Sequence, residues 1–160
     1  VDVIRSAQNR LLVVSFAAYG VAEVVRELAA AADRGVRLDL VLEETRADGG
    51  TLRGTSSAAT TFAAIRQKAT LWHWPAHRRP AAGNSRAALH AKLVAADTAV
   101  ALISSANLTD RAMSHNLEVG VVLRDPHTVA RLVAHFDALM NPPAHTLEPL
   151  EDEGRANDEG

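Results

Sequence analysis

His90 and Lys92 are the residues of this sequence best suited to chemistry on a phosphate group. One residue separates them, and alternate side chains of a strand face the same way, which would place the two groups about 7 Å apart. A lysine ammonium binds phosphate oxygens, and an imidazole that titrates near neutral pH can act as a nucleophile or a general acid. The pair alone is weak support, because a His-x-Lys triplet on a strand edge arises often by chance.

Four further polar residues follow this pair at the ends of apolar segments, namely Asp97, Ser105, Asn107 and Glu118. A predicted hairpin would return Ser105 and Asn107 to the end of the sheet that holds His90, where a hydroxyl and an amide can donate to phosphate oxygens. Glu118 is the lone charge of a predicted strand. Pairing with an imidazole would offset the cost of burying it and fix the imidazole tautomer.

The N-terminal half must supply most of the sheet that positions these residues. Leu11–Phe16 is predicted to be a strand, Val21–Arg34 a helix that Gly35 ends, and Val36–Leu42 a second strand. A strand, a crossover helix and a strand in this order predict a parallel pair in an α/β sheet. Ala69–Trp74 is predicted to be a third strand.

The C-terminal half predicts a hairpin, one more strand and a closing helix. Leu89–Ala95 and Ala99–Ser104 are apolar segments that flank a tight turn, and Leu117–Leu123 follows as a strand. Asp125 and Pro126 then favour a helix start, because the carboxylate can cap the helix and proline suits its first position.

Two segments are predicted to be irregular. Residues 45–57 are rich in Gly, Thr, Ser and Arg and favour an exposed loop, and residues 75–86 form a candidate active-site loop. The second loop holds Arg78, Arg79 and Arg86, which could follow a nucleic-acid backbone. Solvated loop arginines are equally common, so both interpretations stay open.

The remaining aromatic and histidine residues favour structural roles. Trp72 and Trp74 share a face of their strand and could stack a base, but core packing is the better interpretation. His115 could reach the site, although a surface loop is favoured. No histidines show metal-ligand spacing, so the sequence predicts neither a metal nor another cofactor.

Composition favours one soluble domain. The chain has 160 residues, of which 48% are hydrophobic, enough for a substantial core. The lack of cysteine excludes disulfides and thiolate metal sites and favours a reducing compartment, with the cytoplasm as the expected location. No apolar run approaches the roughly 18 residues of a membrane span, so no membrane partner is expected.

Charge is unevenly distributed along the chain. The formal net charge is -2, but residues 148–160 hold six acidic residues against one arginine, a net -5, which leaves +3 for residues 1–147. A positive body mildly favours a polyanionic ligand. We therefore predict a catalytic domain over residues 1–147 and a disordered acidic tail over residues 148–160.

The spacing of the polar residues matches a known signature. In this sequence the series reads His90-x-Lys92-x4-Asp97-x6-Ser104-Ser105-x-Asn107. It resembles the HKD signature of the phospholipase D superfamily, HxKx4Dx6GSxN, with Ser104 in place of the usual glycine. Asn116-x-Glu118 is similar to the downstream Asn-x-Glu element of that family. The resemblance implies a phospholipase D-like α/β/α sandwich with a mixed, mostly parallel sheet, and metal-independent cleavage of a phosphodiester.

The resemblance also implies a mechanism and a homodimer. In that family the reaction runs through a covalent phosphohistidine, and two motifs face each other across one site, whereas this sequence has one motif. His90 of one subunit would attack phosphorus, and His90 of the other would protonate the leaving oxygen. Glu118 would orient His90, whereas the turn position of Asp97 favours a structural role. The groups that would hold the phosphoryl oxygens are Lys92, Ser105 and Asn107.

A nuclease is the favoured function, with DNA preferred over RNA as the substrate. Residues 107–109 and 116–120 resemble bacterial phospholipase D-like proteins linked to DNA, and among them the sequence is similar to the phospholipase D-like component of DISARM antiphage systems, so defence-system proteins are expected partners. A phospholipase or phosphatidyltransferase is an alternative that would want an apolar interfacial surface, which the sequence does not indicate. A non-catalytic nucleic-acid-binding scaffold is a third interpretation.

Overall fold

A seven-stranded mixed sheet runs through the centre of the computed structural model, which describes residues 1–53, 57–82 and 85–150. In chain order the described strands are β1 (Arg10–Ser15), β2 (Ala18–Tyr19), β3 (Arg37–Leu42), β4 (Ala69–His73), β5 (Ala81–Ala82), β6 (Ser85–Arg86), β7 (Leu93–Ala96), β8 (Val100–Ser104), β9 (Leu108–Thr109), β10 (Gly120–Leu123) and β11 (Glu148–Pro149). The spatial order of the large sheet is β10-β8-β7-β1-β3-β4-β11. Two small ladders pair β2 with β9 and β5 with β6.

The sheet is α/β and mixed, as predicted. Strands β1, β3 and β4 form a parallel block, and helix Ala22–Asp33 connects β1 to β3, which confirms the strand-helix-strand interpretation. Strands β7, β8 and β10 continue the sheet as an antiparallel meander from the other side of β1, and β11 pairs antiparallel with β4. Within the described part of the seven-stranded sheet the parallel pairings are therefore confined to one block, and this sheet is less parallel than the sequence suggests.

Helices cover both faces of this sheet. They are α1 (Asp2–Ser6), α2 (Ala22–Asp33), α3 (Ala58–Thr61), α4 (Asp110–Ser114) and α5 (Pro126–Met140), with 3₁₀ turns at Ala63–Lys68 and Ala76–Arg78. None of these described helices combines the length and apolar character that crossing a bilayer requires.

Helix α2 covers one face because its apolar residues recur at helical spacing. Val24, Leu28 and Ala31 are buried and belong to a core cluster that includes Leu38 of β3. Gly35 follows the helix with φ of +89°, a left-handed conformation that glycine adopts without steric cost. The predicted helix and its end are confirmed.

Helix α5 covers the other face. The Asp125 carboxylate accepts a hydrogen bond from the Thr128 N–H at 2.8 Å, and Pro126 occupies the first turn. Val129 and Phe136 are buried against the second core cluster. With α1 and α2 on the first face and α5 on the second, the predicted α/β/α sandwich is confirmed.

Strands β7 and β10 begin later than the sequence predicts. Pairing of β7 with β1 starts at Leu93, opposite Val14, and β1 itself ends at Ser15. Without a β1 neighbour, the preceding residues 87–92 run outside the ladder, so His90 and Lys92 do not alternate in a strand. Similarly, β10 starts at Gly120, which leaves Glu118 in the turn before it.

The predicted boundary at residue 148 is wrong for the first part of the tail. Glu148 and Pro149 pair with β4, and the Leu150 N–H donates to the Leu71 carbonyl at 2.8 Å. The buried side chain of Leu147 anchors this return to the sheet edge. Residues 151–160 lie outside the described part of the chain, where the tail stays a prediction.

The predicted exposed loop at residues 45–57 is partly wrong. Thr45 is buried and bridges to Leu52, and the Gly50 backbone packs directly on the Glu44 carbonyl, where a side chain would clash. Described residues 45–53 therefore fold back over the end of β3, while residues 54–56 lie outside the described part.

Candidate active site

His90 and Lys92 lie together in the irregular segment before β7. The Lys92 Nζ is 3.0 Å from His90 Nδ1 and 2.8 Å from the His90 carbonyl oxygen. Burial lowers the pKa of Lys92, and the nearby Glu118 carboxylate acts in the opposite direction. The tautomer decides what this contact is: if Nδ1 accepts from the ammonium, the ring proton lies on Nε2, and Nε2 is free to act as a nucleophile only when the proton lies on Nδ1 and Lys92 donates to the His90 carbonyl. The sequence predicted this proximity but not its cause, which is the local chain path and not strand alternation.

Phe16 forms the floor beneath this pair. Its ring centroid lies 4.7 Å from that of the His90 imidazole with the planes tilted by 38°, and the Lys92 Nζ lies 5.7 Å from the Phe16 centroid. Phe16 directly follows β1, at the edge where β7 begins. The aromatic face therefore attracts two groups that carry positive charge when protonated. Sequence reasoning treated Phe16 only as the end of an apolar strand.

Ser105, Asn116 and Glu118 form a second cluster on the neighbouring strand ends. The Ser105 hydroxyl donates to Glu118, and the Asn116 amide donates to the same carboxylate at 3.0 Å. These hydrogen bonds, together with Lys92, lower the pKa of Glu118. The carboxylate is therefore ionised at neutral pH and holds the serine in place.

Glu118 does not contact His90 as the sequence suggests. Its hydrogen-bond partners among the described residues are Ser105 and Asn116. The expectation assumed that a strand would bury the carboxylate, but Glu118 precedes β10 and stays partly exposed. Because a partly exposed carboxylate keeps much of its hydration, it does not need an imidazole partner to offset a cost of burial.

Asn107 carries an unsatisfied group beside Lys92. Its Oδ1 is buried and has no hydrogen-bond partner among the described residues. Both residues line a largely apolar cavity of about 110 Å³. A buried polar atom without a partner usually marks strain or a place for a ligand or water, so Asn107 fits a binding role.

Asp97 lies at the opposite end of β7 from His90. Its carboxylate accepts backbone hydrogen bonds from Gln8 at 3.0 Å, Asn9 at 2.8 Å and Arg10 at 2.9 Å. Burial raises the pKa of Asp97, but the backbone donors outweigh it and the pKa lies below the usual value. Asp97 thus connects the β7–β8 turn to the start of β1, which agrees with the structural role that its turn position favours.

Two of the three arginines predicted to contact nucleic acid form ion pairs within the protein. Arg79 is completely buried and pairs with Glu43 at 2.8 Å. Arg78 pairs with Glu148 at 2.7 Å and donates to the His145 carbonyl. Neither guanidinium is an open phosphate contact, because the loop folds back over the ends of β3 and β4. The Arg86 side chain lies outside the described residues, so that expectation stays a prediction.

The tryptophans belong to the core, as favoured. Trp72 donates its indole N–H to Asp39 at 3.1 Å, and Trp74 donates to the Arg78 carbonyl at 3.2 Å. Both pack against the second core cluster, which lies between the sheet and α5. His115 is exposed at the end of α4, as expected for a surface position.

Two buried carboxylates at the end of β3 were missed by sequence reasoning. Glu43 and Glu44 are each 3% exposed. Burial, Asp48 and Glu43 raise the pKa of Glu44 to about 7. The available signal was a pair of acidic residues directly after a buried parallel strand, where α/β proteins place functional groups.

Solved structures with this fold include proteins of the phospholipase D superfamily. NucT from Helicobacter pylori matches with a TM-score of 0.74 at 14% identity, over 93% of this chain and 87% of that one. Nuc from Salmonella typhimurium, a phospholipase D family member, matches with a TM-score of 0.65 at 22% identity, over 94% and 88%. TrmBL2, an archaeal chromatin protein with a novel mode of DNA binding, matches with a TM-score of 0.57 at 16% identity, over 93% of this chain and 49% of that one.

Sequence comparison places the chain in a family. No curated protein sequence matches it significantly. The family profile described as cardiolipin synthase, PLD-like domain, matches residues 1–140. Since the matched region takes in every helix from α1 to α5 and the strands that carry the candidate site, the chain belongs to this PLD-like family.

Proposed function

We propose that this protein is a metal-independent phosphodiesterase, and specifically a nuclease that cleaves DNA through a covalent phosphohistidine. The observation that carries the proposal is the contact between Lys92 and His90, at 3.0 Å, on an open edge of the sheet beside Ser105 and Asn107. A cation next to an exposed imidazole, with a hydroxyl and an amide at the neighbouring strand end, suits a phosphodiester.

The proposed reaction has two steps. In the tautomer with the ring proton on Nδ1, His90 Nε2 attacks phosphorus, an N–P bond forms and the P–O ester bond breaks, while a second, protonated imidazole gives its proton to the leaving oxygen. That imidazole then takes a proton from water, whose oxygen attacks phosphorus and releases His90. Lys92, Ser105 and Asn107 hold the phosphoryl oxygens in both steps, and the two imidazoles titrate as a coupled pair.

The second imidazole comes from a second copy of the chain in this proposal. The chain has one HKD-like series, and exposed apolar residues lie on β8, α4 and β10 and on either side of Glu118 in the sequence. They are Ile103, Met113, Leu117, Val119 and Val121. Strand β10 is the terminal strand of the sheet on this side, with free backbone groups along its edge. A two-fold contact here would cover the apolar residues and bring two His90 side chains to one phosphorus.

DNA is the proposed substrate because the net charge of residues 1–147 is +3 and the TrmBL2 relative of this fold binds DNA. The similarity to the phospholipase D-like component of DISARM systems, noted on residues 107–109 and 116–120, extends the proposal to antiphage defence with partner proteins of that system. The reaction proposed at His90 is the same whether or not the substrate is DNA and whether or not the protein acts in defence.

The test uses the purified protein in EDTA with single-stranded DNA, double-stranded DNA, RNA and bis(p-nitrophenyl) phosphate. We expect cleavage by the wild type, none by His90→Ala and unchanged cleavage by the exposed control His115→Ala. If none of the three proteins cleaves any substrate but all still bind DNA, the scaffold interpretation replaces the enzyme interpretation. Mixing wild type with His90→Ala tests the dimer: after subunit exchange, activity should fall with the square of the wild-type fraction, and a linear fall would contradict the shared site.

A phospholipid substrate is the second candidate, and a specific observation favours it. The apolar cavity that Lys92 and Asn107 line also has the exposed Met113 side chain in its wall. The sequence does not indicate such an apolar surface, and the description of the matching family refers to cardiolipin synthase. Release of headgroup from phosphatidylglycerol or phosphatidylcholine vesicles, without cleavage of nucleic acid, would select this candidate.

A further inference from the structure

Glu43 and Arg79 form a completely buried ion pair close to the candidate nucleophile. Both side chains have 0% exposure, and the Arg79 guanidinium lies 2.8 Å from Glu43 Oε1 and 3.1 Å from Oε2. The two residues lie 36 positions apart in the sequence. Neither belongs to the HKD-like series, and neither contacts the solvent from which a substrate would approach.

Each partner of this pair holds backbone groups of the segment that leads to His90. Glu43 Oε2 accepts from the Leu89 N–H at 2.7 Å, and Arg79 donates to the Ala87 carbonyl at 2.9 Å. Arg79 also donates to the Trp74 carbonyl at 2.8 Å, which connects the segment to the end of β4. The Leu89 contact is one residue away from His90.

Stability does not account for such a pair. Removing two charges from water costs about as much as their attraction returns, so buried ion pairs are often replaceable by apolar residues without loss. This pair does something that apolar residues cannot do. Residues 87–92 run outside the β7 ladder, so no neighbouring strand satisfies the Leu89 N–H and the Ala87 carbonyl, and the ion pair supplies those partners.

We propose that Glu43, with Arg79, is a positioning residue that sets the place of the His90 imidazole against Phe16 and Lys92. The proposal rests on the function proposed above for His90. Glu43 fixes the backbone at Leu89, and the Phe16 ring supports the imidazole from below at 4.7 Å. Together they determine where Nε2 points, at a position that lies before the first β-ladder contact of this segment, the hydrogen bond from the Ser104 N–H to the Lys92 carbonyl.

The test needs a variant that folds. Glu43→Gln leaves the Arg79 charge buried without a counterion and is expected to unfold the protein in part. The double variant Glu43→Leu/Arg79→Met replaces both charges with apolar groups of similar size and removes the contacts to Leu89 and Ala87. The matched control is the double variant Asp39→Leu/Arg10→Met, which removes another largely buried ion pair, 2.7 Å long, at the start of β1 and so at the far end of the strand from the site.

Two measurements separate positioning from mere structure. In the Glu43/Arg79 double variant we expect kcat to fall about 100-fold with little change in KM, as for a displaced reacting group, while the Arg10/Asp39 control keeps both values. NMR contacts between the His90 and Phe16 rings should weaken in the Glu43/Arg79 double variant and persist in the control. If a folded Glu43/Arg79 double variant keeps these ring contacts, positioning by Glu43 is overturned whether or not the protein cleaves DNA. If the contacts are lost but the wild type cleaves no phosphodiester, the proposed function fails and the positioning role stands.

Discussion

The two ends of β7 differ in how far their polar groups are hydrogen-bonded. At the Asp97 end the carboxylate has hydrogen-bond donors, whereas at the His90 end several buried polar atoms have no partner among the described residues. The Asp97 carboxylate takes three backbone N–H donors. At the other end, where β1 and β3 finish and β7 begins, lie all the buried side-chain atoms of the described residues that have no hydrogen-bond partner. They are Glu44 Oε1, Thr51 Oγ1 and Asn107 Oδ1.

This difference separates residues that stabilise the fold from residues that leave capacity for a ligand. Unsatisfied buried polar atoms cost free energy, so a fold keeps them where another requirement is met. The same HKD-like spacing therefore contains both kinds of residue. Asp97 stabilises the fold, whereas His90, Lys92 and Asn107 lie at the other end of β7, where a ligand could bind. Four variants test the division, from the largest expected effect to the smallest.

His90→Ala should give the largest loss of activity and almost no loss of stability. Removing a nucleophile lowers kcat by at least about 10³-fold, while truncating an exposed side chain changes the free energy of unfolding by less than about 0.5 kcal/mol. Phosphodiester cleavage and urea unfolding measure the two quantities. If His90→Ala loses stability in proportion to activity, the His90 end of β7 also stabilises the fold.

Asp97→Ala should do the reverse. It removes the acceptor of three backbone donors and places alanine at a φ of +53°, so we expect about 2 kcal/mol lower stability. Activity per folded molecule should not change. Asp97→Asn, which keeps one oxygen and tolerates this φ, should lose less. Because the pKa of Asp97 is lowered in the folded state, its stabilising effect should be present above its ordinary pKa and disappear as pH falls through the folded-state value. A loss of activity in folded Asp97→Ala at low temperature would contradict the comparison.

Ser105→Ala should lower kcat/KM roughly tenfold, about 1.4 kcal/mol of transition-state stabilisation. The hydroxyl donates to Glu118 and accepts from the Val119 N–H, and water can replace it at this exposed position, so stability should change little. Ser114→Ala is the matched control, an exposed serine on α4 with hydrogen bonds only to Asp110. Equal effects of the two substitutions would remove Ser105 from the site.

Most of the fold was predictable because its signals are local. Helix α2 follows from apolar residues at helical spacing and from Gly35, and α5 follows from Asp125 and Pro126 at its start. The edge strand β11 was missed, since two residues within an acidic segment carry no periodicity. The start of β7 was misplaced, because it depends on where its neighbour β1 ends and not on its own residues.

The site divides in the same way. Fixed spacing along one segment predicted His90, Lys92, Ser105 and Asn107 as candidate site residues. The Glu43–Arg79 pair and the Phe16 floor depend on contacts between distant parts of the chain, which no local pattern marks. The partner of Glu118 was mispredicted because its burial was assumed.

Glu44→Gln should have the smallest effect, and only at alkaline pH. The folded-state pKa of Glu44 is about 7, above its ordinary value of 4.5, so between these values the unfolded chain has released a proton that the folded protein retains. Stability therefore falls as pH rises through this window and levels off above it. Glutamine stays neutral, so the variant should gain about 1 kcal/mol over the wild type at alkaline pH, a figure reduced for solvent screening, and nothing below the window. Urea unfolding of both proteins at the two extremes measures the difference, in which the titration of all other groups cancels. A gain of equal size at both pH values would mean that Glu44 is not held protonated, and that the unsatisfied atoms at the His90 end impose no charge-dependent cost on the fold.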